Sequence, residues 1–157
     1  MWISFHAYIH DYQLLDQYLS EEFNQFLDKH KNAYDEYFFI RYWLGGPHVR
    51  LRVKLNKFFN QDQFLSLFQK SVTNFLANSK IQLVDPETFY SKEMLEGEGI
   101  KEVFWKENGI VEIDQYQPEF LRYGGVENIE IAETMFNISS DLAKRVNSKP
   151  FLTRLYI

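Results

Sequence analysis

The sequence predicts an α+β fold: an antiparallel sheet with helices on one face, in ferredoxin-like βαββαβ order, followed by a C-terminal helix. Three observations carry this. Apolar residues alternate in short β-rich runs near residues 2–9, 37–44 and 48–55. Their period lengthens to helical spacing in 11–29, 60–79 and 126–146. The order strand, helix, two strands, helix, strand is the split βαβ pattern. A chain of 157 residues fits one domain, 1–157, with a real core.

In "WISFHAYI" (2–9), Trp2, Ser4, His6 and Tyr8 alternate with Ile3, Phe5, Ala7 and Ile9. Asp11 is a suitable N-cap for the helix that follows, in which Leu15, Leu19, Phe23, Phe26 and Leu27 share a face through Lys29. "NAYDE" interrupts that pattern. "YFFIRYWL" (37–44) and "HVRLRVKL" (48–55) flank the turn "GGP" and read as a hairpin. Asn60 and Gln63 resemble a capping box before the second helix, which runs to about Ser79. Residues 80–102 carry turn signals and charges without a period, which predicts a surface excursion. Asn108-Gly109, between two β-rich runs, predicts a second hairpin. A helix from about Val126 to Val146 follows, and "SKPFLTRLYI" is a candidate last strand.

The net charge of −5 argues against a broadly basic nucleic-acid surface, so any anion site must be a local patch. There is no cysteine, hence no disulfide or thiolate chemistry. "MWISFHAYIH" lacks the basic segment and cleavage site of a signal peptide. No run approaches the ~18–20 apolar residues of a membrane span. A cytoplasmic protein without a membrane partner is expected. No metal-ligand spacing, phosphate-cradling glycine loop or nucleophile triad is visible, so neither metal nor cofactor is expected.

"YWLGGPHVRLRV" (42–53) holds the candidate chemistry. In a strand, His48, Arg50 and Arg52 share one face, with Val49, Leu51 and Val53 on the other. Two arginines two residues apart stand ~7 Å apart along a strand. That spacing suits a carboxylate or phosphate gripped by two guanidinium forks. Equally, they fit cross-strand ion pairs with Glu112 or Asp114. Arg41 on the preceding strand either joins them or is a surface charge. His48 is a proton carrier or a residue that shapes the hairpin.

A second block, "YQPEFLRYGGVENIEIAETMF", adds to the first. Phe39-Ile40-Arg41-Tyr42, Gly46-Pro47-His48-Val49-Arg50-Leu51-Arg52 and Tyr116-Gln117-Pro118-Glu119-Phe120-Leu121-Arg122-Tyr123-Gly124-Gly125 stand in that order. Together they resemble the thiopeptide-type bacteriocin biosynthesis domain, the family of the C-terminal, glutamate-eliminating part of lantibiotic dehydratases. The resemblance implies action on a ribosomally made precursor peptide. A separate glutamylating dehydratase subunit would esterify Ser or Thr from glutamyl-tRNA. Elimination of glutamate would then leave dehydroamino acids; thiopeptide relatives instead build a pyridine ring by cycloaddition. Arg50, Arg52 and Arg122 carry over as catalytic residues, the first two holding the glutamyl carboxylate. Arg41, His48, Glu119 and Tyr123 are the candidates for substrate binding. Glu119 is a partner for Arg122 or a plain surface charge. Tyr42, Tyr116 and Tyr123 bind peptide or pack.

The resemblance spans most of residues 1–145 and corresponds to the N-terminal part of the family's domain. The family's further helices, with a histidine assigned to elimination, have no counterpart, and "FNISSD" replaces a common Asp-Ser. A truncated form implies apolar surface that favours self-association, so a homo-oligomer or a partner is expected. Two alternatives follow: a non-catalytic binding or scaffold subunit of such a complex, and an unrelated sheet-face binder of RNA. The acidic charge and lack of an RNP1-like sequence oppose direct nucleic-acid binding.

Overall fold

The alternation in the first strand and in the arginine strand is realised as neighbouring strands of one sheet. The computed structural model describes residues 1–147, so the strand expected in "SKPFLTRLYI" lies outside the described residues. The elements run β1 (Ile3–Tyr8), α1 (Tyr12–Ser20), α2 (Glu22–Lys29), β2 (Tyr34–Tyr42), β3 (His48–Leu55), α3 (Gln61–Ala77), α4 (Pro86–Phe89), α5 (Lys92–Gly97), β4 (Val111–Asp114) and α6 (Ile129–Asn147). The sheet order is β2-β3-β1-β4, with every pair antiparallel, which is the ferredoxin-like arrangement. No described helix is long and apolar enough to cross a membrane.

The apolar sides of the strands meet α1, α2 and α3. Phe5, Val49, Leu51 and Val53 are fully buried against a cluster that includes Phe23, Phe64 and Phe68. Each such side chain contributes ~1.5–3 kcal/mol relative to exposure. Asp11 caps α1 by accepting from Gln13 and Leu14 N–H. Asn60 and Gln63 form the reciprocal capping box of α3.

Four features differ from the sequence reading. The first helix is two: Glu21 leaves helical geometry at φ −114°, ψ −81°, and Ser20 Oγ turns back onto the Gln17 carbonyl. The strand before the glycine turn starts at Tyr34, with a register shift between Tyr34 and Glu36. The excursion at 80–102 holds the short helices α4 and α5. It is pinned where Gln82 N–H donates to the Asp11 carboxylate and Val84 N–H to the His10 carbonyl.

The second hairpin does not form, because only its C-terminal arm becomes a strand. Gly109 N–H donates to the Tyr8 carbonyl, and Tyr8 N–H to Ile110, so the turn closes onto β1. The upstream arm is drawn instead to the glycine turn. Trp105 makes an isolated bridge with Gly45 and packs against His10 and Phe89.

α6 lies along the free edge of β2. Asn137 donates to the Tyr37 carbonyl, the Ser140 hydroxyl accepts from Phe39 N–H, and Asp141 accepts from the Tyr37 hydroxyl. Side chains thus satisfy an edge that a strand would otherwise seek.

Candidate functional site

Strand register decides which side chains share the second face of the sheet. His6 lies opposite Arg50, Ser4 opposite Arg52, and Phe38, Ile40 and Tyr42 opposite Arg52, Arg50 and His48. The arginines therefore face away from the packed helices, as the alternation predicts. This face is not open, however. The segment after β4 folds back so that Tyr116 sits over Arg52, 4.9 Å from its guanidinium carbon to the ring centre. Trp2, Phe38 and Phe136 close the same side through edge and tilted ring contacts.

Arg50 is held by two neighbours. Its Nε–H donates to His48 Nε2 at 3.1 Å. Its guanidinium lies 3.7 Å from the centre of the Tyr42 ring, a cation–π contact. The other His48 nitrogen, Nδ1, is 2.7 Å from the Gly46 carbonyl. A carbonyl only accepts and a guanidinium only donates, so the ring carries its proton on Nδ1. His48 is fully buried, and burial, more than the nearby cations, lowers its pKa to about 3. It orients Arg50 and offers no free lone pair.

Arg52 is less satisfied. It stacks near Phe38 and Tyr116, while its Nε–H is buried without an acceptor. Among the described residues no carboxylate lies within ion-pair distance of Arg50 or Arg52. The acids suggested for them are turned elsewhere: Glu112 to Lys106 at 2.7 Å, and Asp114 toward His6 at 3.8 Å. Burial pulls both guanidiniums below their ordinary pKa, yet arginine stays charged at any physiological pH. Two half-buried cations with no carboxylate in direct contact favour an external anion.

A cleft of about 80 Å³ opens beside Arg52, walled by Phe38, Tyr116, Tyr123 and Phe136, with Glu119 among its lining residues. Glu119 is paired with Arg122 at 3.0 Å, and both are largely exposed. Arg122 thus lies outside the Arg50–Arg52 pair and neutralises the acid that lines the cleft. Tyr123 packs edge-on against Phe136. Gly124 and Gly125, at φ +82° and +96°, make the turn before α6. Arg41 is not brought into the group: opposite Val49 in the register, it sits on the helix side and pairs with Asp16 at 2.6 Å. A larger hollow of about 310 Å³ between α2 and α3 carries charges of both signs and lies on the far face of the sheet from the arginines.

Several members of the site were not singled out from the sequence. His6 stacks on His48 and shares a hydrogen bond with the Ser4 hydroxyl at 3.0 Å. Burial first, then Arg50 and Arg52, lowers its pKa to about 3. Glu133 of α6 accepts from Trp2 Nε1 and bonds Tyr116. The alternation of Trp2, Ser4, His6 and Tyr8 carried the signal for the first strand's contribution.

The fold is shared with solved proteins. The pyridine synthase TbtD from thiomuracin biosynthesis matches with a TM-score of 0.61 at 18% identity, over 98% of this chain and 51% of that one. TsrL matches at 0.57 and 16%, over 99% and 38%. The tRNA-dependent lantibiotic dehydratase MibB from Microbispora sp. 107891 matches at 0.55 and 20%, over 96% of this chain and 12% of that one. This chain thus spans about half the length of the first of these and less of the others. No curated protein matches it in sequence. A family model described as lantibiotic biosynthesis dehydratase, C-terminal, matches residues 2–150, and the chain belongs to that family.

Proposed function

We propose that the protein is a component of ribosomal peptide modification, of the lanthipeptide or thiopeptide type, and that its Arg50–Arg52 face receives a glutamylated precursor peptide for glutamate elimination. One observation carries this reading: two half-buried guanidiniums with no carboxylate in ion-pair range, Arg52 with its Nε–H buried and unpartnered beside an aromatic-walled cleft. A glutamyl ester of Ser or Thr presents a free carboxylate of the size two forks can hold. In the elimination, a base takes the proton on Cα. The Cβ–O bond breaks, its electron pair leaves with glutamate as a carboxylate, and a dehydroamino acid remains. Arg50 and Arg52 would anchor the glutamyl group and stabilise the charge on the departing oxygen. Tyr42 and His48 fix Arg50 so that it needs little reorganisation on binding.

The second reading is a non-catalytic subunit that binds the peptide for another enzyme. The state of His48 favours it, because both ring nitrogens are already engaged. An O-glutamylated precursor peptide, followed by mass spectrometry, separates the readings. Elimination releases glutamate and leaves dehydroalanine or dehydrobutyrine. In that case Arg52→Ala loses about 10²-fold or more in rate while its melting temperature holds. Binding without release supports the subunit reading. Neither binding nor release overturns both.

A further inference from the structure

We propose that the outward face of α6 is a contact surface for a second copy of this chain, with the two helices antiparallel across a two-fold axis. This does not depend on the carboxylate reading. Ile131, Met135, Ile138 and Leu142 are 64%, 55%, 55% and 60% exposed. They recur at intervals of four, three and four, which places them in one continuous stripe. The opposite side of α6 is already occupied: Ile129, Glu133 and Ser140 are buried, and Ser140 and Asn137 bond to β2. A helix with one face packed and a second apolar stripe facing water is built for two neighbours.

The choice of a second copy comes from the stripe itself. Its spacing reads the same from either end, about a point between Phe136 and Asn137. Antiparallel pairing therefore sets Ile131 against Leu142 of the second copy, and Met135 against Ile138. Such self-complementarity is what a two-fold interface requires. Charge agrees. α6 has Glu130 in its first turn and Lys144 and Arg145 in its last, with Lys144 already paired to Asp28 of α2. The antiparallel arrangement brings the acidic end of one helix to the basic end of the other, whereas a parallel one stacks like ends and like dipoles.

The area sets the strength. Four half-exposed side chains, on the order of 100 Å² each, supply roughly half of the ~800 Å² per partner of a standard interface. Leu121 and Val126, in the loop leading to α6, are strongly exposed and add apolar surface near its start. A reversible, concentration-dependent dimer follows. It would brace the helix that supplies Phe136 to the cleft and Glu133 to Tyr116.

Sedimentation velocity on the full chain, from about 5 to 200 µM, reads the association directly. The expected result is a shift from monomer to dimer that Ile138→Glu abolishes without lowering the melting temperature. Ile131→Glu serves if Ile138→Glu proves less stable. Orientation is read by disulfide trapping, because the chain has no cysteine of its own. A mixture of Met135→Cys and Ile138→Cys chains should oxidise mainly to the mixed disulfide. A monomer at the highest concentration, a dimer untouched by both glutamate variants, or a preference for the two like disulfides would overturn the proposal.

Discussion

Acid should destabilise this protein through three histidines buried around the arginine face and its neighbouring turn. His6 and His48 are held at a pKa of about 3, and His10 at about 4, by burial first; neighbouring arginines add to it for His6 and His48. In the unfolded chain each returns to about 6.5. The folded pKa is the lower one, so the unfolded state binds more protons below 6.5. The stabilising contribution is therefore complete above pH 6.5 and is lost as pH falls from there toward 3–4. At about pH 5 each histidine costs the fold about 2 kcal/mol, or roughly 4–6 kcal/mol for three after allowance for local relaxation. Typical total stabilities are ~5–15 kcal/mol, so the loss is large. Urea unfolding at about pH 7.5 and pH 5 measures it, with imidazole NMR signals followed in parallel. Arg50→Gln should raise the His6 pKa, because a positive neighbour is removed. An unchanged urea midpoint between the two pH values, or imidazoles titrating near 6.5, would refute the account of a neutral histidine cluster.

Glu119→Gln should strengthen carboxylate binding, because it removes an acid that lines the cleft. Arg122→Ala should weaken it, and a calorimetric titration with both variants reads the opposite signs. Gly46→Ala should cost roughly 2 kcal/mol or more in chemical unfolding. Gly46 has φ +100°, and an added Cβ would sit 2.3 Å from His10 Nε2. Arg41→Ala should leave peptide binding unchanged and shift stability by less than about 1 kcal/mol, as expected of an exposed ion pair.

What the sequence revealed, and what it hid, follows from periodicity. β3 was legible because Val49, Leu51 and Val53 alternate strictly with His48, Arg50 and Arg52. Asp11 and Asn60 were legible as caps because capping depends on residues two or three positions away. Arg41 was left open between the two faces because parity across a glycine turn depends on the strand register, which Gly45-Gly46-Pro47 does not disclose. The roof over Arg52 was hidden, since Tyr116 reaches Trp2, Phe38 and Glu133 through long-range contacts without a repeat. The Asn108-Gly109 signal was real as a turn. It misled as a hairpin because Tyr8 and Gly45 offered better partners to its two arms. His48 as the holder of Arg50 was within reach: residues two apart on one strand face are neighbours.

The central claim is that Arg50 and Arg52 form a receptor for a glutamyl carboxylate. It is tested most directly with a precursor peptide in which diaminopropionate, acylated by glutamate, replaces the esterified serine. The amide cannot eliminate, so calorimetry reads binding alone. Wild-type protein should bind this peptide more tightly than an alanyl analogue that lacks the side-chain carboxylate. Arg50→Ala and Arg52→Ala should each erase that preference, a loss of about tenfold or more, with melting temperatures near wild type. Equal affinity for the glutamyl and alanyl peptides, or arginine variants that fold and bind as the wild type does, would contradict it.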